Sequence, residues 1–105
     1  MTTTTSISYT ISDIKRINKE KGLTFFSKKN MDLFKSKVER EVYQGPHGVY
    51  FITSERVFYD YSIPRKYSVR RFDPETGQIN TMDEYRSFTY LLDAKNKAMR
   101  YAYYL

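Results

Sequence analysis

The chain predicts an α+β fold in a single domain, an antiparallel four-stranded meander preceded by two helices and followed by one. Three observations carry this. The apolar period changes from helical spacing to two-residue alternation after Glu39, turn-forming clusters interrupt the alternating region, and helical spacing returns at the C-terminal end. Such an order of elements is most simply satisfied by a meander packed against helices.

Each element has a local reason. Residues 1–10 are polar and low in complexity and predict a flexible leader, with Ile7 and Tyr9 the first residues able to pack; residues 11–105 form the domain. Ser12 is placed to cap a first helix, Ile14 and Ile17 follow at helical spacing, and Gly22 ends it after Lys19 and Lys21. Ser27 is placed to cap a second helix with Met31, Phe34 and Val38 on one face. Arg40–Gln44, a turn at Gly45-Pro-His-Gly48, and Val49–Thr53 predict a hairpin. A loop runs from Ser54 to Pro64. A third strand over Lys66–Phe72 reaches the turn Asp73-Pro-Glu-Thr-Gly77, and Gln78–Met82 returns as the fourth. Thr89 is placed to cap a last helix with Leu91, Ala94, Ala98, Ala102 and Leu105 along one face. Both alternate sets of the second strand are apolar (Val49 and Phe51; Tyr50 and Ile52), which predicts cover on both faces.

Composition bounds the function classes. A chain of 105 residues supports one core, and 40% hydrophobic residues suffice for it. The absence of cysteine excludes disulfides and thiolate metal sites. No apolar run approaches the roughly 20 residues needed to span a bilayer, and the Thr-rich start lacks a signal-peptide pattern. The expectation is a cytoplasmic protein with no membrane partner. Eleven Tyr, seven Phe and no Trp give a ring-rich chain suited both to sheets and to recognition surfaces. The formal charge of +6 is spread along the chain and leans toward polyanionic partners, though a solvated Lys-rich surface accounts for it equally well.

Signatures of catalysis are missing. The lone His47 sits in a Gly-Pro-His-Gly turn, where a structural role is the simpler account, and no serine has a nucleophile setting. Asp60, Asp73, Glu75, Asp83 and Glu84 are scattered, with no spacing that argues for carboxylate or metal chemistry. The sequence therefore predicts a non-enzymatic protein without a cofactor or metal.

Binding chemistry is better represented. Arg56, Arg65, Lys66, Arg70 and Arg71 are interleaved with Phe58, Tyr59, Tyr61 and Tyr67. Guanidinium groups pair with phosphates and exposed rings stack on unpaired bases. Alternation puts Arg70 and Arg71 on opposite faces, so both cannot line one surface. The predicted nucleic-acid contact set is Arg56, Tyr59, Tyr61, Arg65, Lys66 and Arg70. A second basic patch comprises Lys15, Lys19, Lys21, Lys28, Lys29, Lys35 and Lys37, for which the solvated face of an amphipathic helix is the simpler reading. Tyr101, Tyr103 and Tyr104 offer a protein interface, to a partner or to a second copy of the chain as a homodimer; half-exposed tyrosines capping the core are the alternative.

Several stretches resemble small uncharacterised proteins of phages and mobile elements of gut-type Firmicutes. They are Phe25-Phe26-Ser27 followed by Met31 and Phe34, Tyr50-Phe-Ile-Thr-Ser-Glu55, Arg65-Lys-Tyr-Ser-Val-Arg-Arg-Phe-Asp-Pro-Glu-Thr-Gly77, and the Ala-spaced helix from Ala94 to Leu105. The resemblance covers most of residues 14–102; the Thr-rich leader and the C-terminal tyrosines depart from it. It implies context rather than an activity, namely a small phage or mobile-element protein that acts by binding DNA, host machinery or a defence complex such as a CRISPR nuclease. The combined expectation is a binder of nucleic acid or of a nucleoprotein complex, one concrete form being an anti-CRISPR-like inhibitor. The alternative is a modulator that acts through a tyrosine-rich protein interface.

Overall fold

Among the residues described by the computed structural model (8–33, 35–56 and 64–104), the order is α1 (Ile11–Glu20), α2 (Lys28–Leu33), β1 (Lys37–Gly45), β2 (Gly48–Glu55), β3 (Lys66–Phe72), β4 (Ile79–Met82) and α3 (Leu91–Tyr103). Ile7, Phe34, Phe58, Tyr59, Tyr61 and Leu105 lie outside the described residues. The strands form one antiparallel sheet in sequence order, the predicted meander. Helices pack on both of its faces. Seven of the eight β2 residues are buried, as expected of a strand covered on both sides.

One face carries Val38, Val42, Val49, Phe51, Phe72 and Ile79 beneath α1 and the Phe25-Phe26 pair. Phe51 meets Phe25 and Phe26 at ring-centroid separations of 6.3 and 6.0 Å, and Tyr9 packs edge-on against Phe72 at 5.6 Å. Tyr9 and Thr10, assigned above to the leader, are thus part of the domain. The other face carries Tyr43, Tyr50, Ile52 and Val69 beneath Ala94, Ala98 and Ala102 of α3. Alanine at these three positions lets the helix lie close to the bulky sheet residues. Tyr101 stacks on Tyr50 at 5.5 Å and donates its hydroxyl to Asp83 at 2.6 Å. Burial, followed by that carboxylate, pushes the Tyr101 phenol up to about 12.

Local chemistry corrects several boundaries. Thr10, not Ser12, caps α1: its hydroxyl accepts the Asp13 N–H, and the Asp13 carboxylate accepts the Thr10 N–H in return. The helix ends as predicted, with Gly22 at φ +80. Ser27 accepts the Asn30 N–H at the start of α2, but the helix stops at Leu33. Lys35 takes a left-handed conformation, the Ser36 N–H closes back on Met31 O at 2.7 Å, and Val38 belongs to β1. A six-residue helix is marginal by itself, and the backbone pairing of β1 with β2 outweighs extension of its apolar stripe. Tyr90 rather than Thr89 precedes α3, with no side-chain cap. Before it, Phe88 exchanges backbone hydrogen bonds with Tyr67 and so continues the sheet edge.

At the other end of α1, Asn18 is buried and donates to Gly77 O at 2.8 Å. Gly77 is at φ +76, and a Cβ there would come within 2.8 Å of the Lys21 side chain. The turn between β3 and β4 is thereby fastened to α1.

The face beneath α1 also contains charge. Arg70 sits within the sheet, and its guanidinium donates to Thr53 Oγ1 (3.0 Å), to Thr81 Oγ1 and to Glu55 Oε2 (3.4 Å). Glu55 is fully buried and accepts the Ser68 hydroxyl at 2.9 Å. Phe25 and Tyr85 flank the guanidinium at 5.2 and 5.3 Å. Removing one partner of such a pair strands the other charge in the core.

Arg70→Met is expected to destabilise the fold by about 3–5 kcal/mol, whereas Arg70→Met/Glu55→Leu recovers most of the loss, read from urea midpoints. A double variant no more stable than the single one would contradict the stranded-charge account. For Tyr101, the folded phenol titrates near 12 and the unfolded one near its ordinary 10.0. Between those values the unfolded chain gives up the proton first, so its contribution is complete below pH 10 and is lost as pH rises toward 12. Tyr101→Phe should flatten the alkaline fall in stability; identical slopes for the two proteins would refute this.

Candidate polyanion-binding surface

β1 starts, β2 ends and β3 starts at the same end of the sheet, where Lys37 pairs with Ser54, Ser54 with Tyr67, and Glu55 with Lys66. The antiparallel register thus brings Lys35, Lys37, Arg56, Arg65 and Lys66 to one end of the sheet, Lys37 on the face of Ser54 and Tyr67 and Lys66 on the face of Glu55. Arg65 is the structural centre of the group. Its Nε donates to Ser54 Oγ at 3.0 Å, and a terminal nitrogen donates to Ser54 O at 2.6 Å and to Lys35 O. One guanidinium therefore ties the turn before β1 to the end of β2. Burial, and then repulsion from Arg56, hold the Arg65 pKa below the ordinary arginine value.

Arg86 belongs to the loop after β4, which is anchored here by its backbone N–H donating to Ser68 Oγ at 2.8 Å. Its residue is in a left-handed conformation at φ 58. Its Nε is the one buried side-chain polar atom without a hydrogen-bond partner among the described residues. Among the described residues the acids whose charge is felt at Arg65 are Glu55, which is turned inward onto Arg70 and Ser68, and Glu39.

The predicted contact set divides. Arg56, Arg65 and Lys66 are half-exposed and adjoin one another. Arg70 does not join them, because its side chain is 9% exposed and committed to the buried pair; its removal from the contact set is a correction. Arg71 is exposed on the opposite face, with its guanidinium 6.0 Å from the Tyr50 ring. Tyr59 and Tyr61 lie outside the described residues. Lys35 and Lys37, which sequence spacing groups with the helical lysines, stand instead just before and at the start of β1, and Arg86 comes from the loop after β4.

The other lysines separate from this end. Lys15 and Lys19 line a cleft of about 410 Å³ with Asn18, Leu23, Thr24, Phe26 and Ser27. The tyrosine set also divides: Tyr103 and Tyr104 are 46% and 79% exposed, while Tyr101 is held between Tyr50 and Asp83 and is not a free interface residue. The backbone N–H of His47 donates to Ala102 O at 3.1 Å, which docks the hairpin turn on the end of α3.

Among the described residues no group of three or more His, Cys, Asp or Glu is placed to hold a metal ion, and no helix is long and apolar enough to cross a membrane. No curated protein and no solved structure matches the chain. A family model does match, over residues 10–99. That span takes in every strand, the basic end of the sheet and most of α3, and the chain belongs to the family of unknown function DUF7447.

Proposed function

We propose that this protein is a non-enzymatic binding module for a polyanion, with nucleic acid or a nucleoprotein complex as its target. The observation that carries the reading is the convergence of Lys35, Lys37, Arg56, Arg65, Lys66 and Arg86 on one end of the sheet, where Glu55 is neutralised internally. Phosphates accept from such groups, and a cluster of this size gains affinity by releasing counterions. Arg65 and the Arg86 backbone are fixed by internal hydrogen bonds, so part of the surface is organised before binding. The sequence resemblance supplies the context, a phage or mobile element in a bacterial cytoplasm. A host defence nuclease with its bound nucleic acid is one target that combines this context with the charge.

The test is fluorescence anisotropy with labelled single-stranded and duplex oligonucleotides across a salt series. Affinity should fall linearly in log[salt], with a slope of about −0.7 to −0.9 per phosphate contacted. Lys37→Glu/Lys66→Glu should weaken binding roughly tenfold or more at low salt while leaving the urea midpoint close to that of the parent. Arg70 is unsuitable for reversal, since its loss disturbs the core. Salt-independent binding, or unchanged affinity in the double variant, would defeat the proposal.

A further inference from the structure

The outer face of α3 carries an apolar stripe that the core does not use. Leu92 and Met99 are 67% and 39% exposed on the side of the helix away from the buried Ala94, Ala98 and Ala102, and Tyr103, 46% exposed, ends the stripe with one edge of its ring against Gly45 of the hairpin turn. With Asn96 between them, the spacing is four, three and four residues, the d-a-d-a pattern of a coiled-coil seam. Asn96, Met99 and Tyr103, flanked by Arg100 and Tyr104, already form one shallow cleft. The sheet-facing alanines and this seam make α3 a helix with two apolar sides.

The charges beside the seam select the occupant. We propose that α3 pairs with α3 of a second copy of this chain, in an antiparallel, two-fold arrangement. In that register Leu92 faces the partner's Tyr103 and Asn96 faces the partner's Met99. The flanking e positions are Asp93 and Arg100, both exposed. Two-fold symmetry brings Asp93 of each protomer toward Arg100 of the other, twice over. A parallel pair would instead bring Lys95 toward the partner's Arg100, with like charges meeting on both sides. Neither Asp93 nor Arg100 makes an ion pair among the described residues, whereas Lys95 is held by Glu41 at 2.9 Å. The exposed Tyr104 extends the seam on the same flank as Arg100. Three helical turns bury less than the roughly 800 Å² per partner of a standard interface, and Asn96 places an amide in the seam. The association is therefore weak and reversible. Its surface lies on α3, separate from the basic end of the sheet.

Sedimentation velocity of the full chain over a wide concentration range provides the test, with circular dichroism to verify the fold of each variant. The parent should shift from monomer toward dimer as concentration rises. Met99→Glu should abolish the shift. Arg100→Asp should weaken association roughly tenfold by turning two attractions into repulsions. Adding Asp93→Arg to it restores opposite charges and should bring association back to within about threefold of the parent. A parent that stays monomeric at all concentrations would overturn the proposal. So would failure of the Asp93→Arg/Arg100→Asp double variant to recover, since only the antiparallel pairing couples those two sites.

Discussion

β2 is buried on both faces, and that double burial governs how the rest of the chain is used. A strand without a solvent face must satisfy every polar group it carries from within the protein. Val49 to Ile52 meet the condition with apolar side chains packed on both layers. Thr53, Ser54 and Glu55 meet it with partners: Thr53 takes Arg70 Nε, Ser54 takes Arg65, and Glu55 takes Arg70 and Ser68. The two arginines thus have structural duties imposed by one strand. A buried pair of this kind is weak evidence for net stability, because desolvation offsets much of the attraction. Its better-founded effect is register, since a slip of β3 by one residue would move Arg70 to the opposite face, away from Glu55.

The same constraint separates buried charge from exposed charge. With Arg70 inside, the arginines at neighbouring positions of β3 have unrelated environments: Arg70 is buried between Phe25 and Tyr85, while Arg71 is exposed beside Tyr50. Other positive charge gathers at the end of the sheet, where Lys37, Arg56, Arg65 and Lys66 stand at the starts and ends of strands. Arg65 lies between the two classes. It is half-buried and bonded to backbone carbonyls, and the same contacts hold it beside Arg56 and Lys35. A surface built this way owes its shape to the strand register and not to a contiguous motif.

Strand pairing was legible in the sequence because it rests on short-range signals. The short apolar run of Val49–Thr53 between turn signals, the alternation within Lys66–Phe72, the Gly-Pro turn, and Asp73–Gly77 name the meander without outside help. The end of α2 was not legible. Met31, Phe34 and Val38 satisfy a helical period, while Val38, Val42 and Tyr43 satisfy the needs of a strand, and tertiary pairing decides between them. That one boundary carried Lys37 from a helical lysine patch to the basic end of the sheet. Ser12 and Thr89 were plausible caps, but the reciprocal bonding of Thr10 with Asp13 and the Phe88–Tyr67 bridge set the helix starts elsewhere. The burial of Arg70 depends on Glu55, fifteen residues away in sequence, a distance that no local pattern spans.

The outer seam of α3 shows a related limit from the opposite direction. Ala94, Ala98 and Ala102, with Leu91 and Tyr101 beside them, mark the face that packs on the sheet. Leu92 and Met99 then stand as exposed apolar residues without a role in the domain, and Tyr103 rests one ring edge on Gly45 while staying 46% exposed. Single exposed apolar residues are ordinary and need no account. Their alignment with Asn96 on one stripe, between an acid and a base seven residues apart, is what gives the face a direction. Because the domain's own core is complete without it, this face can change its sequence at little cost to the fold. The basic end of the sheet has less freedom, since Arg65 also closes the end of β2.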